Sequence, residues 1–61
     1  MTKEITKKDL ISKCDNALKY KRIREDNVFQ SIVKLSQMQM TANEVKECYK
    51  EVDILIEANT N

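Results

Sequence analysis

Glycine, proline, histidine and tryptophan are all missing from this 61-residue chain. Without glycine there is no phosphate-cradling loop, no nucleophile elbow and no tight hairpin turn, because each leans on backbone conformations that a Cβ disfavours. Most nucleotide-binding and hydrolase readings go with them. Helices joined by short turns are favoured over a β-rich fold. Without histidine there is no ordinary general base for neutral pH, and the two cysteines, Cys14 and Cys48, form no CxxC pair. No metal and no cofactor are therefore expected. The first ten residues are charged and lack the apolar run of a signal peptide. No stretch approaches the roughly 20 apolar residues of a membrane span. The cysteines allow one bridge at most, and they read as two reduced, buried thiols of a cytoplasmic protein.

Size is also in short supply. Residues 1–61 make one small domain, and a chain this short buries only about 60% of the surface its unfolded form exposes. Apolar burial at about 25 cal/mol/Å² then roughly cancels an ordering cost of about 1.5 kcal/mol per residue. With neither metal nor disulfide framework, association with itself or with another protein is the remaining stabiliser.

What is present begins with charge. The total is +1, unevenly placed. Residues 1–24 hold 8 basic side chains against 3 acids, net +5; residues 25–61 hold 3 against 7, net −4. Such a molecule attracts a partner with a charged face, or an antiparallel copy of itself.

The clearest structural signal is TANEVKECYKEVDILIEA, residues 41–58. Val45, Cys48, Val52 and Leu55 recur at steps of three, four and three, and Tyr49 and Ile56 widen that seam. Most of the charged residues fall on the other side. The period is that of an amphipathic helix. Thr41 followed by Glu44 is a capping-box pattern. Thr6 followed by Asp9 is a second, ahead of Leu10, Ile11, Cys14, Ala17 and Leu18, one helical face of a helix over about 7–20. Asp26 or Asn27 can cap the second helix, over about 27–38, whose apolar run is Val28, Phe29, Ile32, Val33 and Leu35, continued by Met38; the amphipathic stretch above makes the third, over about 42–58. Phe29, the only phenylalanine, belongs at the centre of the core. The spacing predicts a break between the last two helices near Gln39, Met40 and Thr41, since the Thr41/Glu44 cap would be wasted inside a helix. A continuous helix over 27–58 is the alternative. The fold expected is all-α: a small three-helix bundle or helical hairpin, with residues 1–5 frayed and 59–61 a polar tail.

Two features bear on function. The seam of Val45, Cys48, Tyr49, Val52, Leu55 and Ile56 serves either as internal core or as the surface that binds another protein or a second copy. The segment KYKRIR carries Lys19, Lys21, Arg22 and Arg24, interleaved with Tyr20 and Ile23. It reads as a solvated basic helix end, as a phosphate contact, or as a site for an acidic partner. Glu47 and Glu51, or Asp53 and Glu57, sit four apart as weak divalent-ion candidates, but solvated helix faces look the same. Cys48 lacks a cation to lower its pKa. No catalytic residue is assigned.

Thr41-Ala42-Asn43-Glu44-Val45, with Glu51-Val52-Asp53-Ile54-Leu55-Ile56, resembles the second helix of the small sporulation aspartyl-phosphate phosphatases, hairpins that act on a phosphorelay regulator. The chain departs from that family in having Tyr49-Lys50-Glu51-Val52-Asp53 where the family carries SQELD, so no site residue carries over. Asn43-Glu44, Tyr49 and Asp53 also resemble the third helix of the Hha/YmoA nucleoid modulators, small helical partners of a DNA-binding silencer. Here the following basic residue and the tryptophan-bearing last helix are missing.

The function expected from these features is a non-enzymatic regulatory or adaptor protein that binds another protein through an amphipathic helical face, as a homodimer in one form. Neither a membrane nor a small-molecule substrate is expected. A small helix-turn-helix-like DNA-binding regulator using residues 19–24 is the alternative. It is weakened by the acidic balance of the last helix, which would repel phosphate. A hairpin phosphatase acting on a partner regulator is the third reading.

Overall fold

In a computed structural model, which describes residues 4–60, the chain is all-α, with four helices and no strand among the described residues. They are α1 (Lys7–Ala17), α2 (Lys21–Arg24), α3 (Asn27–Ser36) and α4 (Ala42–Thr60). Met1, Thr2, Lys3 and Asn61 lie outside the described residues, so the expected frayed start and polar tail concern only their neighbours. Ile5 packs against the core, and Asn59 and Thr60 continue the last helix.

The three long helices start where short polar side chains satisfy N–H groups that have no carbonyl within the helix. Thr6 accepts from the Asp9 N–H at 3.3 Å, and the Asp9 carboxylate accepts from the Thr6 N–H at 3.0 Å. Asp26 accepts from Val28 at 2.8 Å and from Phe29 at 3.2 Å. Thr41 accepts from the Glu44 N–H at 3.2 Å, and Glu44 accepts from the Thr41 N–H at 2.9 Å. That last reciprocal pair fixes the start of α4, with residues 37–41 between it and the end of α3 at Ser36. Thr41→Ala should therefore cost about 1 kcal/mol, read as a lower urea midpoint at unchanged slope, with Thr41→Ser close to the parent.

The first helix stops earlier than the sequence suggests, at Ala17, and a fourth helix appears within KYKRIR. Tyr20 takes an extended conformation (φ −101°, ψ 115°) and interrupts the path. Carbonyls left at the end of α1 are taken up by tight turns: the Lys19 N–H donates to Asn16 and the Tyr20 N–H to Ala17. Ile23 is then buried and pins the single helical turn of α2, while Lys19, Lys21, Arg22 and Arg24 stay exposed. Met38 does not continue the apolar run of α3; it lies past the helix and is 61% exposed. Every described residue keeps a negative φ, so these turns close without a left-handed position.

All four helices contribute to one core: Leu10, Cys14 and Ala17 from α1, Ile23 from α2, Phe29 and Ile32 from α3, Val45 and Val52 from α4. Phe29 is fully enclosed, as expected of the largest apolar side chain. The principal extents are 30 × 27 × 14 Å. Two packed helix axes lie about 8–10 Å apart, each with Cα atoms about 2.3 Å off the axis. The molecule is thus only about two helices deep, and each helix is covered on one side while part of its flank faces water.

Candidate functional site

The α4 seam lies inward. Val45 and Val52 are buried, and Cys48, Tyr49, Leu55 and Ile56 are half-buried against the same core. Its main neighbour is α1. Lys13 fixes that pairing, with Nζ 2.8 Å from the Asp53 carboxylate and 5.2 Å from the centre of the Tyr49 ring. The hydrogen bond to Asp53 raises the Lys13 pKa, and partial desolvation opposes it. Cys48, Tyr49, Leu55 and Ile56 are the seam residues that keep part of their surface uncovered.

The open apolar surface lies elsewhere. Between α1 and α3 runs a groove of about 240 Å³, lined by Ile11, Cys14, Asp15, Leu18, Phe29, Val33, Ser36 and Gln37. Cys14, Phe29 and Ser36 are buried beneath it; Ile11 and Leu18 are 45% and 43% exposed. Ile11, Asp15 and Leu18, the residue that caps the end of α1, follow at i, i+4 and i+7 and lie beside the buried stripe of Leu10, Cys14 and Ala17. Val33 of α3 and Gln37, the residue that caps its end, line the other side. The Ser36 hydroxyl is satisfied by the Val33 carbonyl at 2.6 Å, leaving an apolar floor. At one end, Lys7 of α1 donates through Nζ to the Met38 carbonyl just past α3, at 2.6 Å. The start of α1 therefore meets the end of α3, which makes the two groove walls run in opposite directions.

The sequence signal for this groove was the broad apolar face of α1. Leu10, Ile11, Cys14, Ala17 and Leu18 read as one face, but the structure divides it into a buried half and an open half. Val33 of α3 belongs to the same open surface.

The basic segment is equally accessible. Lys19, Lys21, Arg22 and Arg24 surround the α2 turn, and no described acid lies within ion-pair distance of them. Gln30 of α3 donates to the Arg24 carbonyl at 2.6 Å and so ties this turn to α3.

The thiols are held in their protonated form. Burial, then the neighbouring Asp15 and Cys48, push Cys14 above its ordinary value of 9.0. Burial, then Glu44, Glu47 and Glu51, do the same to Cys48. Since the thiolate is the nucleophile, both are poor ones. Alkylation by iodoacetamide at neutral pH should be slower than for a free cysteine at both positions, and slowest at buried Cys14. The rates should climb only as the pH passes the raised values, and urea should abolish the difference. Fast labelling of the folded protein at pH near 7 would contradict this environment. Among the described residues no cluster of three or more His, Cys, Asp or Glu side chains is placed to hold a metal ion, and no helix is long and apolar enough to cross a membrane.

No family model, no curated protein and no solved structure matches this chain.

Proposed function

We propose that this chain is a non-enzymatic regulator or adaptor that works by holding another polypeptide against an apolar helical surface. The observation that carries the reading is the open groove between α1 and α3, where Ile11 and Leu18 stand beside a floor that includes Phe29. A scaffold two helices deep leaves such flanks in water, and a third helix laid over them completes the burial. The exposed parts of the α4 seam, at Cys48, Tyr49, Leu55 and Ile56, extend the apolar surface available for contact. The protonated thiols and the absence of histidine argue against nucleophilic or acid–base chemistry. Two free cysteines suit a reducing cytoplasmic location.

Ile11→Glu tests the reading. It alters a half-exposed residue, so the melting temperature should stay close to that of the parent. Tagged parent protein should retain a specific partner from an extract of its native host, and the variant should lose it. A partner held equally by both would overturn the groove as the binding surface.

A second reading rests on the four cations at α2. Lys19, Lys21, Arg22 and Arg24 are all exposed and unpaired by any described acid, as a phosphate contact requires. Titration with duplex DNA at two salt concentrations tests it: affinity falling steeply with salt supports it, and no binding at low salt ends it.

A further inference from the structure

We infer that the α2 turn is a contact for the phosphate backbone of duplex DNA, held by charge alone and without regard to base sequence. The inference rests on the second reading above and specifies what that surface takes and how.

Burial separates the two residue types of KYKRIR. Ile23 is 1% exposed, and half-buried Tyr20 packs against the same core. Lys19, Lys21, Arg22 and Arg24 are what the segment shows to water. The turn that carries them is held in place. The Tyr20 N–H donates to the Ala17 carbonyl at 3.0 Å, and the Gln30 side chain donates to the Arg24 carbonyl at 2.6 Å. With no described acid within ion-pair distance, these cations meet a polyanion without first breaking pairs of their own.

That division selects among anionic partners. Protein partners are held chiefly by aromatic and apolar anchors at the centre of the contact. Within residues 19–24 no apolar side chain is exposed, and α2 contributes no residue to the α1/α3 groove. A phosphate chain needs no such anchor, because the release of its condensed counterions drives binding. Single strands are gripped largely by stacking bases on aromatic rings. Tyr20, the one ring of the segment, is set against the core instead. The duplex, with its denser phosphate charge, is the better match.

Base reading needs more than this surface provides. The helix α2 has four residues. It is about 6 Å long, too short to lay a row of side chains along a major groove about 12 Å wide. A recognition helix reads bases with its first residues. Glu25 and Asp26 stand at the start of α3, and α4 carries Glu44, Glu47, Glu51, Asp53 and Glu57. Either helix would bring carboxylates toward the phosphates.

Fluorescence anisotropy with three labelled oligonucleotides of one length tests this: an A·T-rich duplex, a G·C-rich duplex and a single strand. The two duplexes should bind alike and the single strand more weakly. With four phosphate contacts, log K should fall against log salt with a slope of about −3.6, or about 150-fold between about 50 and 200 mM salt. Arg22→Gln, a solvent-facing change, should reduce that slope by about 0.9 without altering the circular dichroism spectrum. Lys50→Gln, which removes an exposed cation of α4, should change neither affinity nor slope.

A tenfold preference for one duplex, or for the single strand, would overturn the inference and leave nucleic-acid binding standing. Equal losses from Arg22→Gln and Lys50→Gln would overturn the assignment to α2. Displacement of the duplex by polyglutamate at equal anionic charge would make an acidic polypeptide the occupant. No duplex binding at low salt ends the second reading together with the inference, and leaves the partner-capture test with Ile11→Glu untouched.

Discussion

Phe29→Ala should leave the chain largely unfolded at room temperature. Phe29 is fully enclosed where α1 and α3 meet, beneath the groove. Removing a buried phenyl ring costs about 3–5 kcal/mol, because the transfer free energy of the ring is lost and a cavity remains. The whole stability of a 61-residue domain is only about 3–9 kcal/mol at roughly 0.05–0.15 kcal/mol per residue. Far-UV circular dichroism should show most of the helix signal gone, or a melting transition displaced far downward. A cooperative melt near the parent temperature would mean that the ring is not the centre of the fold. Phe29→Leu, which keeps most of the volume, should fold.

Val52→Asp should be the second large effect, with Ile54→Asp as its control. Val52 is 0% exposed, whereas Ile54, two residues along the same helix, is 59% exposed. A carboxylate at position 52 loses the packing of the valine and enters a region without water. Burial of this kind lifts a carboxyl pKa by up to 3–5 units, so the penalty at neutral pH is about 4 kcal/mol or more. The pH dependence follows from the direction of that shift. The folded pKa lies above the unfolded value of about 3.9. Below that value the carboxyl is protonated in both states and the electrostatic penalty is absent. As pH rises toward the lifted folded value the penalty grows, so this variant should be most stable in acid. Ile54→Asp should cost less than about 0.5 kcal/mol, as surface changes do. Urea titrations across pH check both; equal costs at the two positions would refute the inward orientation of the α4 seam.

The elements most legible in the sequence are those that carry their own start signals. Thr6 with Asp9, Asp26, and Thr41 with Glu44 each combine a short oxygen acceptor with an apolar stripe, and all three caps form. Phe29 as core centre was legible from size alone. The end of α1 was not, because Leu18, Lys19 and Tyr20 contain no glycine or proline to mark it. The helix α2 is one turn long, too short for a period to show, and Tyr20 supplies no side-chain cap. The groove was hidden for a different reason. Ile11 and Leu18 read in the sequence as part of one broad apolar face, and which half of that face stays open is decided only when α1 and α3 are set side by side. Conversely, the seam on α4 was plain as a pattern, but periodicity does not say what covers it. The pairing of Lys13 with Asp53 and Tyr49 does.

Every described residue holds a negative φ, including those in the turns after Ala17 and Ser36. The main chain therefore makes no demand for the one amino acid that reaches the opposite half of conformational space. Substitutions in these turns are therefore felt through volume, polarity and capping hydrogen bonds, not through a left-handed backbone position.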